Sequence, residues 1–169
     1  MKTRSILLVL LFVALELSAL QPPMAHDVIT SGVGYRMNPM GGGEESFHRG
    51  QDRVGPHGAQ IMAAGDGVIV EHWPPPGTLG ANGRVFNGHP TYGGMIRLQT
   101  WVLVNDKLVM IFVLYGHMAR TFVHEGQHVT AGQVIGIQGA TGDATGEHLH
   151  YEITISPDVF FDAPMESVK

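Results

Sequence analysis

The sequence has no cysteine. That excludes disulfide frameworks, thiol nucleophiles, thiolate zinc sites, iron–sulfur clusters and a lipid-anchoring cysteine together. Charge is scarce as well: charged residues make up 15%, against about 25% for an average soluble domain. Ten Lys and Arg face fifteen Asp and Glu, for a formal charge of −5. No cationic surface of the kind that finds nucleic acid is expected from that balance. A sustained helical period is also missing from Ser31 onward. What is abundant is glycine, 23 of 169 residues, spread along the chain and not clustered as in low-complexity sequence. With 44% apolar residues such a chain can bury a core, and its length fits a single domain. Ten histidines are the surplus, so any metal chemistry here must run on imidazole and carboxylate.

The one long apolar run is N-terminal. Lys2 and Arg4 precede Ile6–Leu15, ten apolar residues closed by Glu16. As a helix this run spans only about 15 Å, half of a bilayer core. A basic start, a short apolar stretch and the small residues Ser18 and Ala19 predict a secretory signal over 1–19, with cleavage after Ala19 or alternatively Ala25. Residues 1 to about 25 are therefore expected outside the fold, with the domain over 27–155 and a C-terminal tail over 156–169. An exported protein of the periplasm or extracellular envelope follows, without stable membrane insertion after signal removal and expected as a monomer.

Between Ser31 and Ile155 the recurring unit is a run of four to ten apolar or alternating residues closed by Gly, Asn or Pro. Ala59–Glu71 reads as two short strands around Gly65-Asp66-Gly67. Met95–Val104 and Lys107–Tyr115 flank Asn105-Asp106, a two-residue hairpin connection. Val129–Ile137 and His148–Ile155 complete the list. The fold class is all-β with antiparallel pairing, a compact sheet or hybrid barrel. Segments 56–69 and 125–136 resemble each other as one possible duplicated β-unit. A Pro, Gly and Asn-rich loop runs from Trp73 to Pro90.

Four patches carry chemistry. In His148-Leu149-His150 the two imidazoles stand i and i+2 on one strand face, about 6.6 Å apart, while Leu149 enters the core. In His48-Arg49-Gly50-Gln51-Asp52 the ligand-type residues would lie about 13 Å apart on a straight strand, and Gly50 permits the bend that unites them. Tyr115-Gly116-His117 closes an apolar strand, and Gly32-Val33-Gly34-Tyr35-Arg36 is an extended entry to the domain. Three protein donors with an open position is the catalytic zinc arrangement. His48, Asp52 and one of the paired histidines make such a set, leaving the other paired histidine and His117 as bases. His57, His72, His89, His124 and His128 lack a comparable partner and read as solvated or core-satisfied.

These stretches, "SGVGYR…FHRGQDRVGPHGAQIMAAGDGVIV", "YGHM" and "VHEGQHVTAGQVIGIQGATGDATGEHLHYEI", resemble the lysostaphin-type (LytM-type, β-lytic) zinc metallopeptidases over Ser31–Ile155, in the family's order. The resemblance implies a groove in an antiparallel β fold, one Zn(2+) per chain, and cleavage of peptide bonds in bacterial peptidoglycan. It implies His48, Asp52 and His150 as zinc ligands and His117 and His148 as catalytic residues. Gln51 and Arg53 depart from the family's apolar positions, so the strand around Asp52 is expected to be more exposed. Gly41–Glu45, a long hairpin at Asn105-Asp106 and the Trp73–Pro90 loop also depart, at the groove walls. Three rival readings are a degenerate member that activates another wall hydrolase, a biotinyl- or lipoyl-type carrier domain, and a bare peptidoglycan binder. The carrier needs a lysine at a hairpin tip, and none lies between Lys107 and Lys169.

Overall fold

The computed structural model describes residues 20–104 and 107–162. These residues hold no helix, and twelve strands pair antiparallel throughout, as the sequence pattern predicts. They are β1 (Val28–Ser31), β2 (Gly34–Met37), β3 (Glu45–His48), β4 (Gln51–Val54), β5 (Gln60–Met62) and β6 (Gly67–Trp73), then β7 (Gly94–Val104), β8 (Lys107–Met118), β9 (Arg120–Thr121), β10 (His128–Val129), β11 (Val134–Ile137) and β12 (Leu149–Asp162). One seven-stranded sheet runs β1-β4-β12-β8-β7-β6-β10; β5-β11-β9 form a second sheet and β2-β3 a separate hairpin. The Ile6–Leu15 run and Asn105-Asp106 lie outside the described residues. Register across β7 and β8 brings Val104 opposite Lys107, which fits a two-residue connection.

The core is the inner face of the large sheet closed by the small one. Ile69, Ile96, Leu98, Val113, Tyr115, Ile61, Ile135 and Leu149 are its buried side chains. Alternation along β8 sends Ile111, Val113 and Tyr115 to this core, as the period of two dictates. The Tyr115 hydroxyl accepts from the Ala64 N–H at 2.8 Å, tying the turn after β5 to the middle of the sheet. Burial pushes that phenol well above its usual pKa. The two similar segments lie against each other: β5 pairs with β11 and β6 with β10.

Three expectations are corrected. Residues 20–25 belong to the fold: Met24 is 1% exposed within the core, Leu20 packs against it, and Met62 N–H donates to the Pro23 carbonyl at 2.8 Å. Val129–Ile137 is two strands, because the 130–133 turn carries the chain from the large sheet to the small one. β12 continues past 155, with Phe160 opposite Val109, so the strand crosses the expected start of the tail.

Candidate metal centre

β4 and β12 lie side by side, with His150 opposite Asp52. β3 ends at His48, and the chain turns through Arg49-Gly50 from the small hairpin into the large sheet. Gly50 acts here by its missing side chain. A Cβ at this position would sit 2.8 Å from His150 Nε2, 2.9 Å from its Cε1 and 2.7 Å from the Tyr151 carbonyl oxygen. The His150 ring therefore rests on the Gly50 backbone, and the two strands approach as only glycine allows.

His48 Nε2, Asp52 Oδ1 and His150 Nδ1 form a triangle with edges of 3.0, 3.0 and 3.3 Å. All three residues are buried, and together they could hold a metal ion. Donors about 2.0–2.1 Å from a tetrahedral ion are themselves about 3.3 Å apart, so the triangle matches one face of such a shell. In two of the three ligand groups the second atom is engaged elsewhere. His48 Nδ1 donates to the Gly32 carbonyl at 2.8 Å, which leaves Nε2 with its lone pair in the neutral ring. Asp52 Oδ2 accepts from Arg36 Nη1 at 2.6 Å, which leaves Oδ1. His150 Nε2 is buried with no partner at hydrogen-bond length; Glu152 Oε2 is 3.5 Å away.

The electrostatics favour positive charge at this point. Burial works against the imidazolium of His150, yet the carboxylates of Asp52 and Glu152 outweigh it and hold its pKa above the ordinary value. Burial likewise pushes the Asp52 carboxyl up, but the His150 and Arg36 hydrogen bonds and the nearby His48 and His148 hold it well below the usual carboxylate range. Lone pairs converging within about 3 Å under two carboxylates fit a cation.

Beside the triangle stand the other two predicted histidines. His148 and His150 both approach Asp52, with His148 Nε2 at 3.5 Å, while Leu149 between them is fully buried. The His117 and His148 rings face each other at 4.7 Å. His117 adopts φ = 62°, the one non-glycine left-handed residue among the described residues. This conformation breaks the strand alternation after Gly116 and is held from both sides: its N–H donates to the Tyr92 carbonyl at 2.7 Å and Nδ1 donates to the Thr141 carbonyl at 2.8 Å. Burial pushes its pKa down to about 4, helped by His148 and His150 against the opposing Thr141 bond and Asp52 charge. The His117 ring is thus neutral at neutral pH, and the Thr141 bond leaves the lone pair on Nε2. Two adjoining hollows of about 440 and 330 Å³ flank the centre and share Arg36, Pro39, His117 and Asp143.

A family model for peptidase family M23 matches residues 46–160. The chain belongs to this family. It is 36% identical over 121 residues to the peptidoglycan DD-endopeptidase ShyC of Vibrio cholerae serotype O1, a match covering 72% of this chain and 23% of ShyC. Among solved structures it is similar to a zinc-containing peptidase from V. cholerae (TM-score 0.57, 29% identity, 84% of this chain and 37% of that one). It is also similar to the catalytic domain of lysostaphin from Staphylococcus simulans (TM-score 0.53, 27% identity, 81% and 87%). The chain spans about a quarter of the length of the curated relatives it matches.

Within this M23 domain, the sequence pattern misjudged several neighbours of the centre. Asp52 is only 7% exposed, because β1 covers one side of β4 and β12 the other; Arg53 is folded back onto Asp27 and Gln51 and over the Tyr151 ring. His89 is not isolated: it meets Trp73 and Tyr92 at ring distances of 5.3 and 5.0 Å, and its Nδ1 accepts from the N–H groups of Thr91 and Tyr92. His57 is solvated as expected, although its Nδ1 also meets Glu147 at 2.6 Å. Tyr92 and Glu152 escaped notice altogether. A period-two reading of His148, His150 and Glu152 on one strand face signals the second of these.

Proposed function

We propose that this domain is an exported, zinc-dependent endopeptidase that hydrolyses peptide bonds in bacterial peptidoglycan. The observation that carries this reading is the triangle of His48 Nε2, Asp52 Oδ1 and His150 Nδ1 opening onto a groove beside two further imidazoles. Three donors of this kind suit zinc with an open position for substrate, and the similar V. cholerae peptidase is titled as zinc-containing. ShyC and ShyA carry the name of peptidoglycan DD-endopeptidases and the Neisseria Mpg proteins that of DD-carboxypeptidase/endopeptidases, which supports the substrate class. All five family positions keep their residues, which argues against a degenerate regulator.

When bound, zinc supplies a Lewis acid for the scissile carbonyl and makes water nucleophilic at neutral pH. The chain does the rest. His48 and Asp52 hold their donor atoms through Gly32 and Arg36, so little reorganises on binding. His117, kept neutral by burial, takes the proton of the attacking water at Nε2. His148 fixes its Nδ1–H on the Gly146 carbonyl and turns Nε2 toward the same space, placed to exchange a proton with the leaving amine. The β2–β3 hairpin, through Phe47, and the 141–147 loop, through Asp143, wall the groove that seats the peptide.

The test is release of new amino groups from purified peptidoglycan by the native protein, the chelated protein and the chelated protein returned to one equivalent of zinc. Activity lost and then restored supports the reading. Activity indifferent to zinc, or none in the loaded protein, overturns it.

A further inference from the structure

We propose that Glu152 is a positioning residue for the metal centre, taking the Nε2–H of His150 so that the Nδ1 lone pair points at His48 and Asp52. The inference rests on the metal-centre reading above and concerns a residue that never touches the ion.

Four observations converge on it. Glu152 lies two residues after His150 on β12, so the two side chains share one face, and it is 8% exposed. A carboxylate that buried needs a partner. Its Oε2 is 3.5 Å from His150 Nε2, and among the described residues that nitrogen is the buried side-chain polar atom left without a hydrogen bond. The Tyr92 hydroxyl donates to the same Oε2 at 3.4 Å, so the carboxylate is approached from two directions. Tyr92 in turn packs its ring 5.2 Å from that of His150, and a Cβ at Gly50 would lie 2.8 Å from His150 Nε2, so the ring is closely confined.

The result is a chain of supports running inward from the loop: His89 Nδ1 accepts from the N–H groups of Thr91 and Tyr92 and its ring meets that of Tyr92, Tyr92 holds Glu152, and Glu152 selects the tautomer of His150. A neutral imidazole can present only one lone pair. With Nε2–H committed to a carboxylate, that lone pair is on Nδ1, the atom in the triangle. The bond also raises the basicity of the ligating nitrogen, the general role of a carboxylate behind a metal-bound histidine.

The experiment is zinc affinity by competition against a chromophoric chelator, with thermal unfolding of the metal-free proteins measured beside it. Glu152→Leu is expected to bind zinc 10–100-fold more weakly than wild type. Glu152→Gln, whose amide oxygen still accepts the Nε2–H but carries no charge, should recover most of that loss. Tyr92→Phe should weaken binding by a few-fold. If Glu152 only props the sheet, Glu152→Leu lowers the unfolding temperature while the folded fraction binds zinc as tightly as wild type, and the proposal falls. If Glu152→Leu does not fold, Glu152→Ala and Tyr92→Phe decide: wild-type affinity in both overturns it. A wild-type protein with no zinc affinity overturns the metal-centre reading itself.

Discussion

Replacing Gly50 by alanine probes how closely the two halves of the centre must approach. The added methyl would meet the Tyr151 carbonyl oxygen at 2.7 Å and His150 Nε2 and Cε1 at 2.8 and 2.9 Å. Ordinary contacts of this kind are about 3.4–4.0 Å, so strand and ring must separate by about half an ångström or more. Two costs follow. Overpacking a close-packed site destabilises by about 1–3 kcal/mol, which should appear as a lower unfolding temperature in the metal-free protein. Displacement of His150 by more than about 0.2 Å also spoils the metal shell, so zinc affinity should fall by at least about tenfold. The matched control is Gly146→Ala, where a Cβ meets nothing within 4 Å, the backbone is unstrained and no metal donor is held. Chelator competition and thermal unfolding on the three proteins check both costs. Wild-type affinity and stability in Gly50→Ala would refute the reasoning.

The three site histidines should separate by metal content. His150→Ala is expected to purify without zinc, whereas His148→Ala and His117→Ala should keep it and lose about 10²–10⁴ in turnover, as elemental analysis and wall digestion would show. His117 also predicts a pH effect in the chelated protein. Its folded pKa of about 4 lies below the ordinary 6.5, so protonation favours the unfolded chain, and its share of stability is lost as pH falls from about 6.5 to 4. Relative to His117→Gln, wild type should lose about 3 kcal/mol over that window; a constant difference in denaturant unfolding contradicts it. Met24→Ala should cost about 2–5 kcal/mol as a core truncation, and a chain beginning at His26 should unfold at lower temperature than one beginning at Leu20. Equal unfolding temperatures would place Leu20–Met24 outside the fold.

Much of this was legible in the sequence because the signals are local. A period of two sets His148 and His150 on one face with Leu149 inward, and the Gly-closed apolar runs mark the strands that carry them. Tyr115-Gly116-His117 reads as a strand end, although not as a left-handed histidine, since that conformation is imposed by the Tyr92 and Thr141 carbonyls from distant loops. Gly50 was recognisable as the junction of His48 and Asp52, but its role is to admit the His150 ring, a contact made across 100 residues. Polar Gln51 and Arg53 suggested an exposed strand; β1 and β12 bury Asp52 between them regardless. Met24 was masked by its place next to a signal-like run, where composition speaks of processing and packing is decided by the far side of the core. His89 and Tyr92 belong to a loop without periodicity, and only the folded chain shows that it ends at the metal centre.

Hydrolysis of a peptide bond leaves one oxygen from water in each new carboxylate. The decisive measurement is therefore mass spectrometry of purified peptidoglycan digested by the zinc-loaded protein in ¹⁸O-water, beside a His48→Ala control. The account predicts new peptide N-termini, each matched by a carboxylate carrying a single ¹⁸O, and neither in the control. Soluble fragments without new peptide termini, or equal cleavage by His48→Ala, would contradict it.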